Sequence, residues 1–259
     1  MQNELKVALI QSNLVWENPE QNRINFAKKI EQISEHVDII ILPEMFTTGF
    51  TMNASGNAET MQGNTINWMQ HLAQENNAAI VGSIIIIEKE KYYNRLIFVH
   101  PNGNIETYDK RHTFTLAGED KVYTAGKTKQ VFDYKGWKIC PMVCYDLRFP
   151  IWARNIENYD VLIYVANWPK PRIAAWDALL KARAIENMSY CIGVNRVGLD
   201  ALDYVYSGSS AVYDVLGDKI SNIAQNEEQI EVVTLSKEHI NSARAKLRFL
   251  DDKDEFSLK

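Results

Sequence analysis

Residues 137–150 read WKICPMVCYDLRFP, an apolar run that gives way to a polar one at Cys144. The apolar composition of residues 137–143 predicts a buried β-strand. A helix is predicted to begin at Pro150, because proline is favoured in the first turn of a helix. Cys144 therefore lies at a turn between a strand and a helix. A cysteine there can be an exposed nucleophile supported by backbone N–H groups, although a free cysteine is more often a small buried hydrophobic residue.

Strand-like and helix-like segments alternate along the rest of the chain. Apolar or alternating runs predict strands at residues 5–11, 38–42, 79–87, 91–100, 105–108, 129–134, 160–166, 190–195, 209–213, 219–222 and 229–234. Amphipathic segments predict helices at residues 18–36, 60–75, 150–157, 173–187 and 237–246. Because no linker or repeat interrupts this pattern, we expect one domain over residues 1–259, with 247–259 as a tail. So many strands favour two mixed β-sheets with helices outside them, an α/β fold.

The composition excludes several classes of protein. The 259 residues include 28 Lys+Arg and 33 Asp+Glu, a net charge of −5, and 46% are hydrophobic. A chain this apolar can bury a large core, which excludes a disordered protein. The acidic balance argues against a nucleic-acid partner, which would require clustered basic residues. With a polar amino terminus and only short apolar runs, neither a signal peptide nor a membrane span is expected.

The cysteine and histidine residues give no sign of a disulfide framework or a metal site. The chain has only three cysteines, Cys140, Cys144 and Cys191, and an odd number cannot all pair in disulfide bonds. This count favours a reducing, cytoplasmic setting. Cys140 and Cys144 lack a second Cys/His pair, and the histidines lack zinc-site spacing. We expect Cys140 and Cys191 to be core residues. Phosphate-binding glycine loops are also missing from the sequence.

Two charged residues follow other predicted strands. Glu44 comes directly after the buried run 39–43, where a charge needs a partner, and Lys110 comes directly after the strand 105–109. If these strand ends meet Cys144 at one edge of a sheet, Glu44 could take the thiol proton. Lys110 could then stabilise negative charge on a substrate oxygen. Singly, Glu44 could cap a turn and Lys110 could be a solvated hairpin end; the three together favour a catalytic site.

Motifs around these residues resemble those of the nitrilase superfamily, the carbon–nitrogen hydrolases with a Glu-Lys-Cys triad. The similar segments are ILPEMF (41–46), YDKRH (108–112), VCYDLRFP (143–150), ANWP (166–169), KARAIEN (181–187) and NRVG (195–198). They span almost the whole chain, with Glu44, Lys110 and Cys144 in the family's order. Residues 47–50 (TTGF) and 115–119 (TLAGE) are most similar to the omega-amidase branch.

The resemblance implies a fold and a set of roles. It implies a four-layer α-β-β-α sandwich, usually paired into a homodimer, that needs no cofactor and no metal. Cys144 would be the nucleophile, Glu44 the general base and Lys110 the oxyanion stabiliser. Glu119 matches a second glutamate of the family that would keep Lys110 protonated and orient substrate or water, although it could also be a solvated loop acid.

The resemblance also implies a substrate class. Omega-amidases hydrolyse the terminal amide of small 2-oxo dicarboxylic acid monoamides, such as 2-oxoglutaramate and 2-oxosuccinamate, to the dicarboxylic acid and ammonia through a cysteine thioester. Arg148 is the candidate to bind the substrate carboxylate, because a guanidinium can do so with two hydrogen bonds; a salt bridge to a helix end is the alternative. The ring-bearing residues that could wall a small pocket are Phe46, His112, Tyr145 and Trp168, of which Trp168 suits the core equally well.

Other activities use the same chemistry. A deaminated-glutathione amidase, an N-carbamoyl amino acid amidohydrolase and a nitrilase are the alternatives within the superfamily. Related carbamoyl-amino-acid hydrolases have two arginines after the cysteine, whereas this chain has Leu147 before Arg148. A non-catalytic binding protein on the same fold would be expected to lose a triad residue. Acyl transfer to an amine remains open.

Overall fold

The strands of the computed structural model, which describes residues 2–254 and 256, form two mixed sheets and a short hairpin. The strands are β1 (Glu4–Gln11), β2 (Ile39–Ile41), β3 (Ala79–Glu88), β4 (Lys91–Val99), β5 (Ile105–Asp109), β6 (Phe132–Tyr134), β7 (Trp137–Val143), β8 (Val161–Ala166), β9 (Tyr190–Asn195), β10 (Val197–Leu199), β11 (Val205–Ser207), β12 (Ala211–Tyr213) and β13 (Gln229–Ser236). The helices are α1 (Pro19–Ile30), α2 (Ala54–Asn57), α3 (Asn64–Asn76), α4 (Pro150–Ala153), α5 (Ile173–Asn187) and α6 (Lys237–Leu247). Within the described residues, no helix is long and apolar enough to cross a membrane.

Both sheets have parallel strands at the centre and antiparallel strands at the edges. The first sheet has the order β13-β1-β2-β3-β4-β5, in which β1, β2 and β3 are parallel. The second has the order β12-β9-β8-β7-β6, in which β7, β8 and β9 are parallel. Central parallel strands are covered on both faces, which explains why β2 and β8 are almost continuously apolar.

Helices cover the outer faces of the two sheets. Alternate residues of β1 enter different cores: Val7 lies between the sheets, whereas Ala8 packs with α1 and α3. On the second sheet, a Cβ atom at Gly193 would lie 2.5 Å from Leu180 and 2.6 Å from Trp176, so α5 packs directly on β9. The expected α-β-β-α sandwich with two mixed sheets is confirmed.

Several predicted helices are longer than the observed ones. The helix predicted over residues 18–36 ends at Ile30, and the one predicted over 150–157 ends at Ala153. The helix predicted to begin at residue 60 begins at Asn64, because the backbone of Glu59 is hydrogen-bonded to the edge of β3. The predicted tail starts where α6 ends at Leu247, and its residues 255 and 257–259 lie outside the described part of the chain.

The strand predictions fail at two weakly patterned places. Residues 219–222 do not form a strand and contribute only an isolated bridge between Tyr213 and Lys219. The hairpin of β10 and β11 was not predicted, because these strands are three residues long and lack a clear apolar alternation. Cys140 and Cys191 are free, fully buried core residues, as expected.

Candidate active site

Four strands from both sheets end around one point. Glu44 follows β2, Lys110 follows β5, Cys144 follows β7 and Asn167 follows β8. The side-chain amide of Asn167 donates a hydrogen bond to the backbone carbonyl of Glu44 at 2.6 Å, which joins the two sheets. The sandwich thus brings together side chains that are far apart in the sequence.

The backbone at Cys144 is held in an unusual conformation. Its φ angle is +43°, in the left-handed region that non-glycine residues rarely adopt. The carboxylate of Asp146 fixes this turn by accepting hydrogen bonds from the N–H of Val143 at 3.0 Å and the hydroxyl of Tyr108 at 2.8 Å. Such strain persists only where surrounding contacts determine it, and it is typical of functional sites.

Lys110 is placed between two buried carboxylates. Its Nζ atom lies 2.9 Å from Oε1 of Glu44 and 2.9 Å from Oε2 of Glu119. All three side chains are at most 1% exposed. The amide of Asn94 donates to Glu44 at 2.8 Å and to Glu119 at 3.2 Å, and the N–H of Phe114 donates to Glu119 at 2.5 Å. Every charge in this cluster therefore has partners, as buried charges require.

The charges of the cluster set the protonation of Lys110. Burial alone would lower the pKa of Lys110, but the negative charges of Glu119 and Glu44 raise it above its usual value. Burial raises the pKa of Glu119, and the charge of Glu44 adds to this effect, whereas Lys110 opposes it. Lys110 is therefore an ammonium at neutral pH and can stabilise an oxyanion.

The Cys144 thiol is protonated at rest and lies next to a base. Burial raises its pKa well above the usual value, and the negative charge of Glu44 raises it further. Lys110 and the backbone N–H of Asn167 act in the opposite direction, and the Glu44 carboxylate lines the same cavity as the thiol. This carboxylate can accept the thiol proton when sulfur attacks an electrophile, so the nucleophile need not exist as a free thiolate beforehand.

Cys144, Glu44 and Lys110 line a cavity of about 350 Å³. Its walls are largely aromatic and include Trp16, Phe50, Phe114, Tyr145, Trp168 and Tyr206. Two guanidinium groups also line it: Cζ of Arg148 lies 4.9 Å from the centre of the Trp168 ring, and Cζ of Arg172 lies 5.2 Å from that of Phe114. A cavity with few polar groups among apolar walls is typical of a small-molecule site.

The structure separates the predicted pocket residues into two groups. Tyr145, Arg148 and Trp168 line the cavity together with the triad, and Arg148 forms no salt bridge with any described residue. The expectation that Phe46 and His112 line the pocket is wrong for this cavity.

Phe46 and His112 pack against residues outside the cavity. Phe46 is fully buried in the core beneath the first sheet, 5.5 Å from the ring of Phe26. The ring of His112 turns towards Asp146, with Nδ1 at 2.8 Å from Oδ1, and stacks on Phe149 at 3.7 Å. Neighbours of a catalytic residue in the sequence can therefore face away from the site.

Three residues of the site were not identified from the sequence. Asn94 is a polar residue at a buried position of β4, a signal that could have marked it. Asn167 belongs to the quoted ANWP motif but had no role of its own. Arg172 follows this motif in the basic run KPR, which gave no sign that only its last residue reaches the cavity.

Comparisons with known proteins agree with this geometry. The sequence model of the carbon-nitrogen hydrolase family matches residues 6–245. The chain belongs to the carbon–nitrogen hydrolase family. The expected membership of the nitrilase superfamily is thereby confirmed.

Relatives of this hydrolase cover nearly its whole length. "Omega-amidase YafV" of Yersinia enterocolitica is 42% identical over 254 residues, 98% of each chain. "2-oxoglutaramate amidase" of Bacillus subtilis is 30% identical over 251 residues, 95% of this chain and 96% of the other. A solved CN-hydrolase superfamily protein from Xanthomonas campestris, with an arsenic adduct in its active site, is 39% identical, with a TM-score of 0.97 over 100% of both chains.

Proposed function

We propose that this hydrolase cleaves the terminal amide of small 2-oxo dicarboxylic acid monoamides, 2-oxoglutaramate and 2-oxosuccinamate. The products would be the dicarboxylic acid and ammonia. One observation carries the proposal: a cysteine thiol, a carboxylate base and a fixed ammonium line the same cavity as an arginine that has no salt bridge to any described residue. The named activities of the relatives at 42% and 30% identity support the same substrate class.

The first half of the proposed reaction forms a thioester. Glu44 takes the proton of Cys144 as the sulfur attacks the amide carbon, and a tetrahedral oxyanion forms. Lys110 and the backbone N–H of Tyr145 stabilise this oxyanion. Glu44 then gives its proton to the amide nitrogen, the carbon–nitrogen bond breaks, and ammonia leaves the acyl group on sulfur.

The second half releases the acid. Glu44 removes a proton from water, and the hydroxide attacks the thioester carbon. The carbon–sulfur bond then breaks while Glu44 gives its proton to the sulfur, which yields the carboxylic acid and the Cys144 thiol. Glu119 does not touch the reacting atoms in this scheme; it keeps Lys110 charged and in place. The cycle uses protein side chains and water alone.

Arg148 is proposed to bind the substrate carboxylate at the other end of the molecule. It lies close to the nucleophile in the chain, borders the cavity, and rests on the face of Trp168. The hydroxyl-bearing ring of Tyr145 borders the same cavity and helps to enclose a short chain. A carboxylate at this end would distinguish the substrate from simple amides and nitriles.

One assay separates the proposed activity from its alternatives. Ammonia release is measured side by side from 2-oxoglutaramate, succinamate, an N-carbamoyl amino acid and a simple nitrile, and release of Cys-Gly from deaminated glutathione is measured under the same conditions. We expect 2-oxoglutaramate to be among the better substrates by kcat/KM. The proposal fails if 2-oxoglutaramate is cleaved more slowly than the carbamoyl, nitrile or glutathione-derived compound.

We further propose that residues 1–259 act as one domain that pairs into a homodimer in the cytoplasm. The core shared by both sheets supports one domain, and three free cysteines suit a reducing compartment. Exposed apolar side chains near the end of α5, among them Ile185 and Leu216, could be buried in a subunit interface. Sedimentation velocity should give twice the chain mass, and a monomer at assay concentration would contradict the dimer.

A further inference from the structure

We propose that Arg172 is a specificity-determining residue, a second guanidinium that binds the substrate carboxylate together with Arg148. The inference rests on the proposed amide hydrolysis and specifies how the anionic end of the substrate is recognised. Its consequence is that the site selects amides with a carboxylate at the far end of a short chain. Neutral amides of the same length would be poor substrates.

The first support is the position of Arg172 in the fold. It ends the short 3-10 helix Lys170–Arg172, which connects the end of β8 with α5, and its side chain lines the cavity. The guanidinium lies over Phe114, whose backbone N–H donates to Glu119. The wall under Arg172 is therefore joined directly to the charged cluster where the reaction is proposed to occur.

The second support is that both arginines contact the indole of Trp168, Arg148 through its side chain and Arg172 through its backbone. The guanidinium of Arg148 lies over the face of Trp168, and Nε1 of the same indole donates to the backbone carbonyl of Arg172 at 2.8 Å. A second ring pair, Phe114 and Tyr145 with centres 4.9 Å apart, continues this wall. Both guanidinium groups thus lie on aromatic rings that line the same cavity, and these five residues are here called the arginine wall (Tyr145, Arg148, Trp168, Arg172 and Phe114).

The third support is the charge balance of the cavity. Across the described part of the chain, neither Arg148 nor Arg172 has a salt-bridge partner. In contrast, Arg95, another arginine with limited solvent exposure, forms a salt bridge with Asp109 at 2.6 Å. The carboxylate of Asp200 at the cavity accepts hydrogen bonds from the hydroxyl of Tyr206 at 2.9 Å and from two backbone N–H groups, and it forms no salt bridge with either arginine. The positive charge of the arginine wall is therefore available to an anion from outside.

The chemistry of the two groups favours a carboxylate. Guanidinium groups that rest on aromatic rings keep their N–H edges free for planar, two-point hydrogen bonding. Two such groups can serve both oxygens of one carboxylate, or one carboxylate and an adjacent 2-oxo oxygen. The carboxylate and the 2-oxo group are neighbours in the proposed substrates, so both arrangements use the same end of the molecule.

The variant Arg172→Met tests this inference, because it removes the charge and retains an apolar chain on Phe114. The hydrogen bond from Trp168 goes to the backbone carbonyl of residue 172 and does not depend on the side chain. We expect kcat/KM for succinamate to fall about tenfold or more, mainly through KM, and that for butyramide to change less than about twofold. Arg172→Lys should give an intermediate loss.

A matched control is Lys170→Met, which removes the same charge from an exposed residue outside the cavity. It should leave both substrates unaffected; a loss on succinamate equal to that of Arg172→Met would refute a local role for Arg172. Equal losses on succinamate and butyramide in Arg172→Met would also overturn the inference. If the unmodified enzyme cleaves no amide, the proposed function itself fails.

Binding of 2-oxoglutarate separates recognition from turnover. Calorimetric titration in a Cys144→Ala background should show a Kd about tenfold or more higher once Arg172→Met is added. An unchanged Kd would contradict the inference even if the rates of hydrolysis had fallen.

Discussion

Two parts of the cavity lining differ in how their charges are paired. In the reaction cluster (Glu44, Lys110, Glu119 and Cys144), the charges are fully buried and lie within hydrogen-bond distance of one another. In the arginine wall, the guanidinium groups are half-buried, rest on aromatic rings and have no acidic partner among the described residues. The charges of the reaction cluster are paired within the protein, and we propose that an anion pairs those of the arginine wall.

This difference indicates where substitutions should act. Removing one partner of a buried charge group leaves the others unpaired and costs far more than removing a charge near solvent. Changes in the reaction cluster should therefore lower kcat for every substrate. Changes in the arginine wall should raise KM for anionic substrates alone.

The largest effect should come from Cys144→Ala, which removes the proposed nucleophile. We expect ammonia release to fall by about 10⁴-fold or more on every substrate, with the fold intact by circular dichroism. Cys140→Ala is the matched control, since Cys140 is a fully buried residue of the preceding strand β7 and lies outside the cavity. A Cys144→Ala variant with a near-normal rate would end the nucleophile assignment.

Glu44→Gln should separate turnover from thiol reactivity. Loss of the proposed base should lower kcat by about 10²–10⁴-fold. At the same time the pKa of the Cys144 thiol should fall, because the Glu44 charge that raises it is removed. The pH dependence of alkylation by iodoacetamide measures this pKa; a midpoint that stays in place or moves to higher pH would contradict the arrangement.

Glu119→Gln should have a smaller, pH-dependent effect. The pKa of Lys110 should fall because Glu119 makes the larger of the two carboxylate contributions that raise it. We expect kcat to drop by about 10²-fold and the alkaline limb of the pH profile to move to lower pH. Asp120→Asn, a change at the exposed neighbouring acid, is the control and should leave the profile unchanged. An unshifted alkaline limb in Glu119→Gln would refute this role.

The smallest effect expected in this series is that of Arg148→Lys, which keeps the charge but loses two-point binding. KM for succinamate should rise by about tenfold, with kcat and the values for butyramide nearly unchanged. If KM rises equally for succinamate and butyramide, Arg148 is a structural residue, and the proposed difference between the reaction cluster and the arginine wall is wrong.

The same contrast explains what could be predicted from the sequence. Glu44, Lys110 and Cys144 each follow a strand, and strand ends can be located from apolar patterns without knowing the tertiary structure. The same patterns favoured two mixed sheets with helices outside them, whereas the four-layer sandwich was implied by the resemblance to the nitrilase superfamily. Such information is enough to place backbone positions at one edge of the sandwich.

Side-chain direction could not be obtained in this way. His112 lies two residues from Lys110, yet its ring turns to Asp146, and Phe46 lies two residues from Glu44 but enters the core. Arg172 lines the cavity because of the short 3-10 helix that it ends, and no local pattern in the sequence KPR indicates this position. Recognition residues depend on such connections more than on strand positions.

The most direct test of the account is the mass of the Cys144 peptide during turnover of 2-oxoglutaramate. Acid-quenched enzyme should carry the 2-oxoglutaryl group on Cys144. When the substrate is exhausted, this group should be gone from Cys144 and recovered as 2-oxoglutarate. An acyl group on another residue, or full ammonia release by Cys144→Ala in the same experiment, would contradict the account.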